Sequence, residues 1–285
     1  MSRRPSFLAR FAPNLVLLLF GPFLGAAPLC AQQHRNLEEA LVITDVNVID
    51  VRTGEVRPDQ VVVIERNRIT TVGSKGTRYP RNAPTVNAKG GYLIPGLWDM
   101  HVHLVFGDWF PLAQEISLPL FIANGVTSVR DMGSELKTVQ AFRNQIENGE
   151  RLGPRILTSG PMLDGPKPRF PSSLAIARPD DGRRAVDVLK RRGVDFIKLQ
   201  SLIPADAVTA IAEEARKEEL PFEGHVPDAV RAADMSAAGM RSFEHLIGVF
   251  EGSSPAEAEF LNGTKTEAKF CRRTIRHAPK RWPQF

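Results

Sequence analysis

Apolar and polar residues alternate in short bursts between residue 41 and residue 94. The bursts read LVITDVNVID, QVVVIERNRITTVG and PTVNAKGGYLI. Alternation with a period of two is typical of strands that bury one face. The segments RTGE, ERNR and AKGG carry the polar residues and glycines of tight turns. We therefore predict a small β-unit built from hairpins over residues 32–92.

A different pattern follows Gly96, because strand-like apolar runs now alternate with segments of helical periodicity. The strand-like runs are LWDMHVHL, VTSVRDMG, RILTSG, DFIKLQ, PFEGHV and SFEHLIG. Two of the helical segments between them, ELKTVQAFRNQIENG and DGRRAVDVLKRRG, end in the glycine expected at a helix stop. This repetition predicts an α/β fold with parallel strands, either a (β/α) barrel or a doubly wound sheet.

Nitrogen-bearing side chains lie near the ends of four of these runs. His101 and His103 are two positions apart, so on a strand both imidazoles point to the same face. The others are Lys198, His225 and His245. A single strand histidine is usually a buried residue with satisfied hydrogen bonds, but four of the six histidines share this placement. Residues from the ends of many strands converge on one site in a barrel, which favours the barrel.

Five motifs carry a resemblance to a known family. They are PGLWDMHVH, NGVTSVRDMG, GPRILTSG, VDFIKLQ and GHVPDAVRAADMSAAGMRSFEHL. In composition and order they resemble the strand motifs of the amidohydrolase superfamily, particularly its imidazolonepropionase-like and prolidase-like members. The resemblance runs from about Leu41 to about Gly252. It implies a metal-bearing (β/α) TIM-type barrel over residues 93–252, beside a β-sandwich-like unit over residues 32–92.

The resemblance also implies a metal site and a reaction. His101 and His103 would hold one divalent ion and His225 with His245 a second, and Zn²⁺ is the ion we expect. Lys198 matches a lysine that CO₂ converts to a carbamate, an anionic oxygen donor that bridges both ions. Lys198 and His245 are the expected catalytic residues. The implied reaction is hydrolysis of a carbon–nitrogen bond in a small molecule by metal-activated water, in an amide, a lactam or a cyclic amidine. N-acyl amino acids and dipeptides are candidate substrates.

The chain departs from the family pattern after the sixth strand. Family members carry an aspartate at the end of an eighth strand, whereas residues 253–285 show neither strand alternation nor a strand-ending aspartate. We expect an incomplete barrel of about six strands and a basic tail unrelated to the family. The alternative to an active hydrolase is therefore a catalytically impaired, truncated fragment or pseudoenzyme that still binds metal. A second copy of the chain is a candidate partner, and Arg130 and Tyr92 are candidate substrate contacts.

Residues 1–31 have the features of a secretory signal peptide. Arg3, Arg4 and Arg10 precede the apolar run NLVLLLFGPFLGAAPLCA, which Pro22 interrupts and which is short for a membrane span. We expect an exported protein, periplasmic or extracellular, with no stable membrane insertion after cleavage.

The net charge of +5 is concentrated in the ends of the chain. Residues 1–31 contribute +3 and residues 265–285 contribute +6, which leaves −4 for the body between them. A surface that binds phosphates is rich in lysine and arginine, so we do not expect the body to bind nucleic acid.

Overall fold

The computed structural model describes residues 40–105 and 113–262 and divides the chain into two units. The first unit ends at Ile94 and the second begins at Pro95, close to the predicted boundary after residue 92. The predicted signal peptide and most of the predicted basic tail lie outside the described residues.

The first unit contains a four-stranded sheet with the order β3-β2-β1-β4. Its strands are β1 Ala40–Ile49, β2 Val56–Glu65, β3 Arg68–Ser74 and β4 Thr85–Leu93. The pairs β1-β2 and β2-β3 are the predicted antiparallel hairpins, whereas β4 pairs in parallel with β1. Val42, Val61 and Val63 form a small core. A sandwich needs two facing sheets, and the described residues of this unit form one, so the β-sandwich stays a prediction.

The segment AKGG, which we predicted as a turn, lies inside β4. Lys89 and Gly90 have positive φ angles of 51° and 75°, and the pairing of β4 with β1 shifts register between Thr44 and Val46. A β-bulge and a tight turn favour the same glycine-rich sequences, because both need residues with positive φ. The turn prediction was wrong for this reason.

The second unit alternates strands and helices, and all its strand pairs are parallel, which confirms the predicted α/β class. Its strands are β5 Leu97–Val102, β6 Val126–Asp131, β7 Arg155–Thr158, β8 Leu163–Asp164, β9 Leu174–Ala175, β10 Ile197–Leu199 and β11 Phe222–Gly224. Its helices are α1 Ala113–Ala123, α2 Leu136–Glu147, α3 Pro179–Arg191, α4 Ala205–Lys217, α5 Ala232–Ala237, α6 Val249–Gly252 and α7 Glu257–Leu261.

The strands of this unit form two groups, β5-β6-β7 and β11-β10-β8-β9. The backbone N–H of Asp195 donates to the carbonyl oxygen of Thr158 at 2.9 Å, which connects the end of β7 to the segment that leads into β10. The five longer strands therefore follow one another in space in the order in which they occur in the chain. This order brings their carboxyl ends to one edge of the strand layer.

Two features of the strand layer differ from the sequence prediction. Strands β8 and β9 were not predicted, because a strand of two residues has no periodicity to recognise. The predicted sixth strand, SFEHLIG, is reduced to a single parallel bridge between Phe243 and Gly224. A 3₁₀ turn at Glu244–Leu246 follows at once.

Helices α3 and α4 cover the largest core. Helix α3 begins with Pro179, which lacks an N–H group and so leaves no unpaired donor in the first turn. It ends with Lys190 and Arg191, whose positive charges are favourable at the negative end of the helix dipole. The core includes Val186, Leu189, Ile197, Leu199, Ile211 and Phe222. Full burial of such side chains stabilises a fold by about 1.5–3 kcal/mol each, so this core fixes β10 and β11 firmly. Among the described residues, no helix combines the length and apolar character needed to cross a bilayer.

Candidate metal centre

The structure brings together the five predicted ligand side chains, which we call the histidine cluster: His101, His103, Lys198, His225 and His245. His101 lies in β5 and His103 directly after it, Lys198 lies in β10, His225 follows β11, and His245 lies in the 3₁₀ turn. The ring centroid of His101 is 5.3 Å from that of His103 and 4.6 Å from that of His245. The rings of His245 and His225 are 5.3 Å apart. The four imidazoles thus form one continuous group at the carboxyl ends of the strands.

Hydrogen bonds at Nδ1 determine which nitrogen of two of these rings is basic. His103 Nδ1 lies 2.8 Å from the carbonyl oxygen of Gly133, and His101 Nδ1 lies 2.5 Å from Oε2 of Glu244. A carbonyl and an ionised carboxylate only accept hydrogen bonds, so Nδ1 carries the proton in both rings. Nε2 is then the basic nitrogen of the neutral ring, as metal ligation requires.

His245 reaches the cluster through an unusual backbone conformation. His245 and Leu246 have φ angles of 58° and 59°, in the left-handed region. Such a conformation costs a non-glycine residue about 1–3 kcal/mol and is concentrated at functional sites. Because the chain turns sharply here, the ring of His245 lies between those of His101 and His225.

Lys198 is the buried member of the cluster. Its side chain is 1% exposed, and its Nζ makes no hydrogen bond with the described residues. Burial lowers the pKa of Lys198 to about 8; Glu244 opposes this shift and Arg130 adds to it. A buried polar nitrogen without a hydrogen-bond partner destabilises the folded protein by about 1–3 kcal/mol. Such a lysine among four imidazoles is therefore a candidate for chemical modification or metal coordination.

Gly224 leaves the space that Lys198 needs. Its φ is 131°, and a Cβ atom there would lie 2.4 Å from the carbonyl oxygen of Leu199 and 2.8 Å from Cδ of Lys198. Both distances are shorter than real Cβ contacts, so only glycine fits between β10 and the backbone that leads to His225.

Three histidines of the cluster have lowered pKa values, which favour the uncharged form. Burial lowers the pKa of His103, His225 and His245, and the positive charge of Lys198 acts in the same direction. The pKa of His225 falls to about 3. Neutral imidazole is the form that coordinates metal ions, so the cluster is prepared to act as a ligand set at neutral pH.

Three buried charged residues next to the cluster were not among the predicted ligands. Arg130, a predicted substrate contact, is 8% exposed and pairs with Glu223 and, at 2.6 Å, with Glu244. Arg130 therefore belongs to an internal network, and its contact with a substrate stays a prediction. Burial raises the pKa of Glu244, but hydrogen bonds from His101 and Ser242, with the charge of Arg130, lower it overall to about 2.

A repeated sequence feature could have revealed this network. A phenylalanine and a glutamate precede both later histidines, in FEGH at residues 222–225 and in FEH at residues 243–245. The other predicted substrate contact, Tyr92, lies in β4 of the first unit and is 68% exposed.

A second group of potential ligands, the acidic cluster, consists of Asp187, Glu214 and Glu218. Their carboxylate oxygens lie within 4.8 Å of one another. Lys217 Nζ lies 2.5 Å from Glu214 Oε1 and 3.9 Å from Glu218 Oε1. The hydrogen bond from Lys217 lowers the pKa of Glu214. Lys217 thus already pairs with two of the three carboxylates, so we assign the acidic cluster to an ion-pair group.

Imidazoles and a buried lysine at the carboxyl ends of parallel strands are typical of metal-dependent α/β enzymes. The Amidohydrolase family model matches residues 92–266. The chain belongs to this family, which confirms the resemblance of its strand motifs.

The curated relatives match different fractions of the chain. Adenine deaminase of Klebsiella pneumoniae is 25% identical over 225 residues, which are 77% of this chain and 32% of that protein. Imidazolonepropionase of Shewanella sediminis is 32% identical over 112 residues, 36% of this chain and 27% of that protein. The chain thus spans about a third or less of the length of these relatives.

Solved structures share the fold. The crystal structure of a Xaa-Pro dipeptidase with bound methionine in the active site has a TM-score of 0.59 and 21% identity, covering 73% of this chain and 61% of that chain. This likeness supports the α/β fold of the second unit.

Proposed function

We propose that the chain is a metal-dependent hydrolase of the amidohydrolase type that acts on carbon–nitrogen bonds. The observation that carries this proposal is the buried Lys198, whose Nζ has no hydrogen-bond partner among the described residues and which shares a cluster with four imidazoles. Uncharged, closely spaced imidazoles suit Zn²⁺ and related divalent ions.

The ligand roles follow the grouping along the strands. His101 and His103 would hold one ion, and His225 and His245 would hold a second. The amine of Lys198 would add to the carbon of CO₂ and release a proton, which would give an anionic carbamate able to supply oxygen ligands to the ions. A lysine with a pKa of about 8 has a sizeable uncharged fraction at mildly alkaline pH, which supports this addition.

The bound ions supply Lewis acidity and lower the pKa of a coordinated water toward about 7. The chain's own residues orient the reactants. A carbamate on Lys198 would add negative charge and oxygen ligands among the four imidazoles. His245 is exposed, whereas the other three histidines are half-buried, so its ring is the accessible one for substrate. We assign catalytic roles to Lys198 and His245 on this basis.

The substrate is a small molecule with a carbon–nitrogen bond in an amide, a lactam or a cyclic amidine. The relatives support this breadth, because their names include a deaminase of adenine, an enzyme of imidazolonepropionate and a dipeptidase. N-acyl amino acids and dipeptides are the first candidates.

A catalytically impaired fragment that still binds metal is the second candidate function. Among the described residues, β5 is an edge strand that pairs with β6 alone. An unpaired edge exposes backbone hydrogen-bonding groups and favours association, so a second copy of the chain is a candidate partner.

We also propose that the protein is exported, with residues 1–31 as the signal peptide. The mature protein would begin near Gln32. Amino-terminal sequencing of material from outside the cytoplasm tests this, and recovery of Met1 or Ser2 would contradict it.

Metal analysis and an activity assay test the function together. Purified protein should contain up to two divalent ions per chain and hydrolyse at least one compound in a panel of N-acyl amino acids, dipeptides, lactams and adenine. Metal content without turnover of any compound would favour the impaired fragment. Absence of metal after reconstitution with Zn²⁺ and bicarbonate would overturn both candidates.

A further inference from the structure

We infer that Glu244 is a positioning residue that sets the proton position and the orientation of the His101 ring, and that Arg130 and Ser242 hold Glu244 in place. This inference rests on the proposed metal site, since its consequence is a basic Nε2 on His101 that faces an ion. It concerns residues outside the five predicted metal ligands.

The two carboxylate oxygens of Glu244 have different hydrogen-bond partners. Oε2 lies 2.5 Å from His101 Nδ1. Oε1 accepts a hydrogen bond from Nη2 of Arg130 at 2.6 Å and lies 2.7 Å from Oγ of Ser242. One oxygen thus orients the imidazole, while the other is fixed by Arg130 and lies next to Ser242, whose single hydroxyl proton is shared between Glu244 and Glu223.

Arg130 makes this arrangement rigid because it contacts three different strand segments. Its Nε donates to the carbonyl oxygen of Met100 at 2.7 Å, next to His101 in β5. Its Nη1 pairs with Glu223 in β11, and its Nη2 pairs with Glu244 after the sixth strand position. Arg130 itself lies in β6. The planar guanidinium of Arg130 binds the backbone next to His101 through Nε and binds Glu244 through Nη2, so it fixes the distance between His101 and Glu244.

The position of the proton matters because free neutral imidazole can carry its proton on either nitrogen. A carboxylate at Nδ1 stabilises the form with the proton on Nδ1 and leaves the lone pair on Nε2. Carboxylates in this position typically raise the metal affinity of a histidine, and their loss costs about 10- to 100-fold in affinity.

The chain contains a matched control for Glu244. Glu223 is buried to the same degree, pairs with Arg130 as well, and has an oxygen 2.7 Å from Ser242 Oγ. Its hydrogen bonds in the structure lead to Arg130 and Ser242 and not to an imidazole. A variant of Glu223 therefore disturbs the network in the same way but leaves the Nδ1 partner of His101 in place.

The experiment compares Glu244→Gln with Glu223→Gln by zinc competition against a chromophoric chelator. We expect Glu244→Gln to bind Zn²⁺ about 10- to 100-fold more weakly than the wild type, and Glu223→Gln to remain within about threefold. Thermal unfolding of both metal-free variants checks that each is folded. Equal affinities of the two variants would overturn the inference. A full loss of metal in His101→Ala with no loss in Glu244→Gln would also overturn it, while the proposed function would stand.

A second measurement on the metal-free wild type does not depend on the variants. Histidine ¹⁵N spectra, with the His101 signal identified by its absence in His101→Ala, should show the proton on Nδ1. A proton on Nε2 would overturn the inference even if Glu244→Gln failed to fold. Failure of the wild type to bind Zn²⁺ would refute the proposed function, and the ¹⁵N spectra would still decide the role of Glu244.

Discussion

The histidine cluster and the acidic cluster both gather potential metal ligands in the second unit, but they differ in how their charges are balanced. In the acidic cluster, Lys217 is 68% exposed and donates to Glu214. In the histidine cluster, Lys198 is buried and its Nζ lacks a hydrogen bond within the described residues. Exposed ion pairs contribute about 0–1 kcal/mol, whereas a buried unpaired polar group costs about 1–3 kcal/mol.

Short distances between potential ligand atoms are therefore a weaker indication of a metal site than a buried polar group that lacks a hydrogen-bond partner. In the acidic cluster, Lys217 pairs with two of the three carboxylates. The histidine cluster carries a destabilising lysine, a left-handed histidine and a glycine that leaves space for the lysine. Costs of this kind persist in proteins mainly where function requires them.

The strongest test of the contrast removes single ligands. His101→Ala and His225→Ala should each weaken Zn²⁺ binding by more than the roughly 10- to 100-fold that loss of a supporting residue causes. Glu214→Gln in the acidic cluster should leave the metal content unchanged. Metal analysis after dialysis measures all three variants. A loss of metal in Glu214→Gln alone would reverse our assignment of the two clusters.

Substitution of Gly224 should cause a large decrease in the free energy of unfolding. Gly224→Ala places a methyl group against Leu199 and Lys198 at a φ of 131°. Gly149 also has a positive φ, of 72°, but a Cβ atom there would meet no atom within 4 Å. We expect Gly149→Ala to lower the free energy of unfolding by about 1–2 kcal/mol. Gly224→Ala should cost about 1–3 kcal/mol more because of the overlap. Urea unfolding measures both, and equal losses would show that the close approach to Lys198 is not important.

Acid should destabilise the metal-free protein in two separate pH ranges. Because the folded-state pKa of His225 is about 3 and its ordinary value is 6.5, the unfolded chain binds more protons between these values, and the free energy of unfolding falls as the pH drops below 6.5. Carboxylates with lowered pKa, such as Glu214, act only below their ordinary value of 4.5. Thermal unfolding from pH 7 to pH 5 should therefore respond to His225→Ala and not to Glu214→Gln. An equal change of the unfolding temperature with pH in both variants would contradict the assignment of these two residues to different pH ranges.

Replacement of Lys198 should improve stability while it removes function. Lys198→Met fills a similar volume without a polar atom, so the metal-free protein should gain about 1–3 kcal/mol in the free energy of unfolding. The variant should also lose the ¹³C carbamate signal that we expect from wild type incubated with ¹³C-bicarbonate and Zn²⁺. A less stable Lys198→Met would mean that Nζ is satisfied in solution.

The smallest effect is expected at the surface. Lys217→Met removes the cation of the acidic cluster, and the Lys217 side chain is 68% exposed while that of Glu214 is 10% exposed. We expect a change of less than about 1 kcal/mol in the free energy of unfolding and a decrease in that change at high salt. A larger loss, measured by the same urea titration, would show that this ion pair is structurally as important as the buried network.

The sequence predicted a large part of the site because its signals are local. The spacing of His101 and His103 depends only on the period of a strand, and the structure brings their rings within 5.3 Å. The alternation of strands and helices likewise predicted parallel strands, whose shared edge brings Lys198 and His225 to the same region. The metal roles of these residues stay predictions until the experiments above are done.

The tertiary structure alone decided how the cluster is supported. The bond between His101 and Glu244 joins residues 143 positions apart, and that between Arg130 and Glu223 joins residues 93 positions apart. No local periodicity encodes such pairs, so the buried ion pairs of Arg130 were not predicted and the two glutamates were overlooked. The left-handed turn at His245 was missed for a related reason, since a short apolar run favours a strand until packing against Gly224 and His101 outweighs that preference. Sequence thus determined which side chains reach one edge of the parallel strands, whereas long-range burial and charge pairing determined their orientation and their protonation.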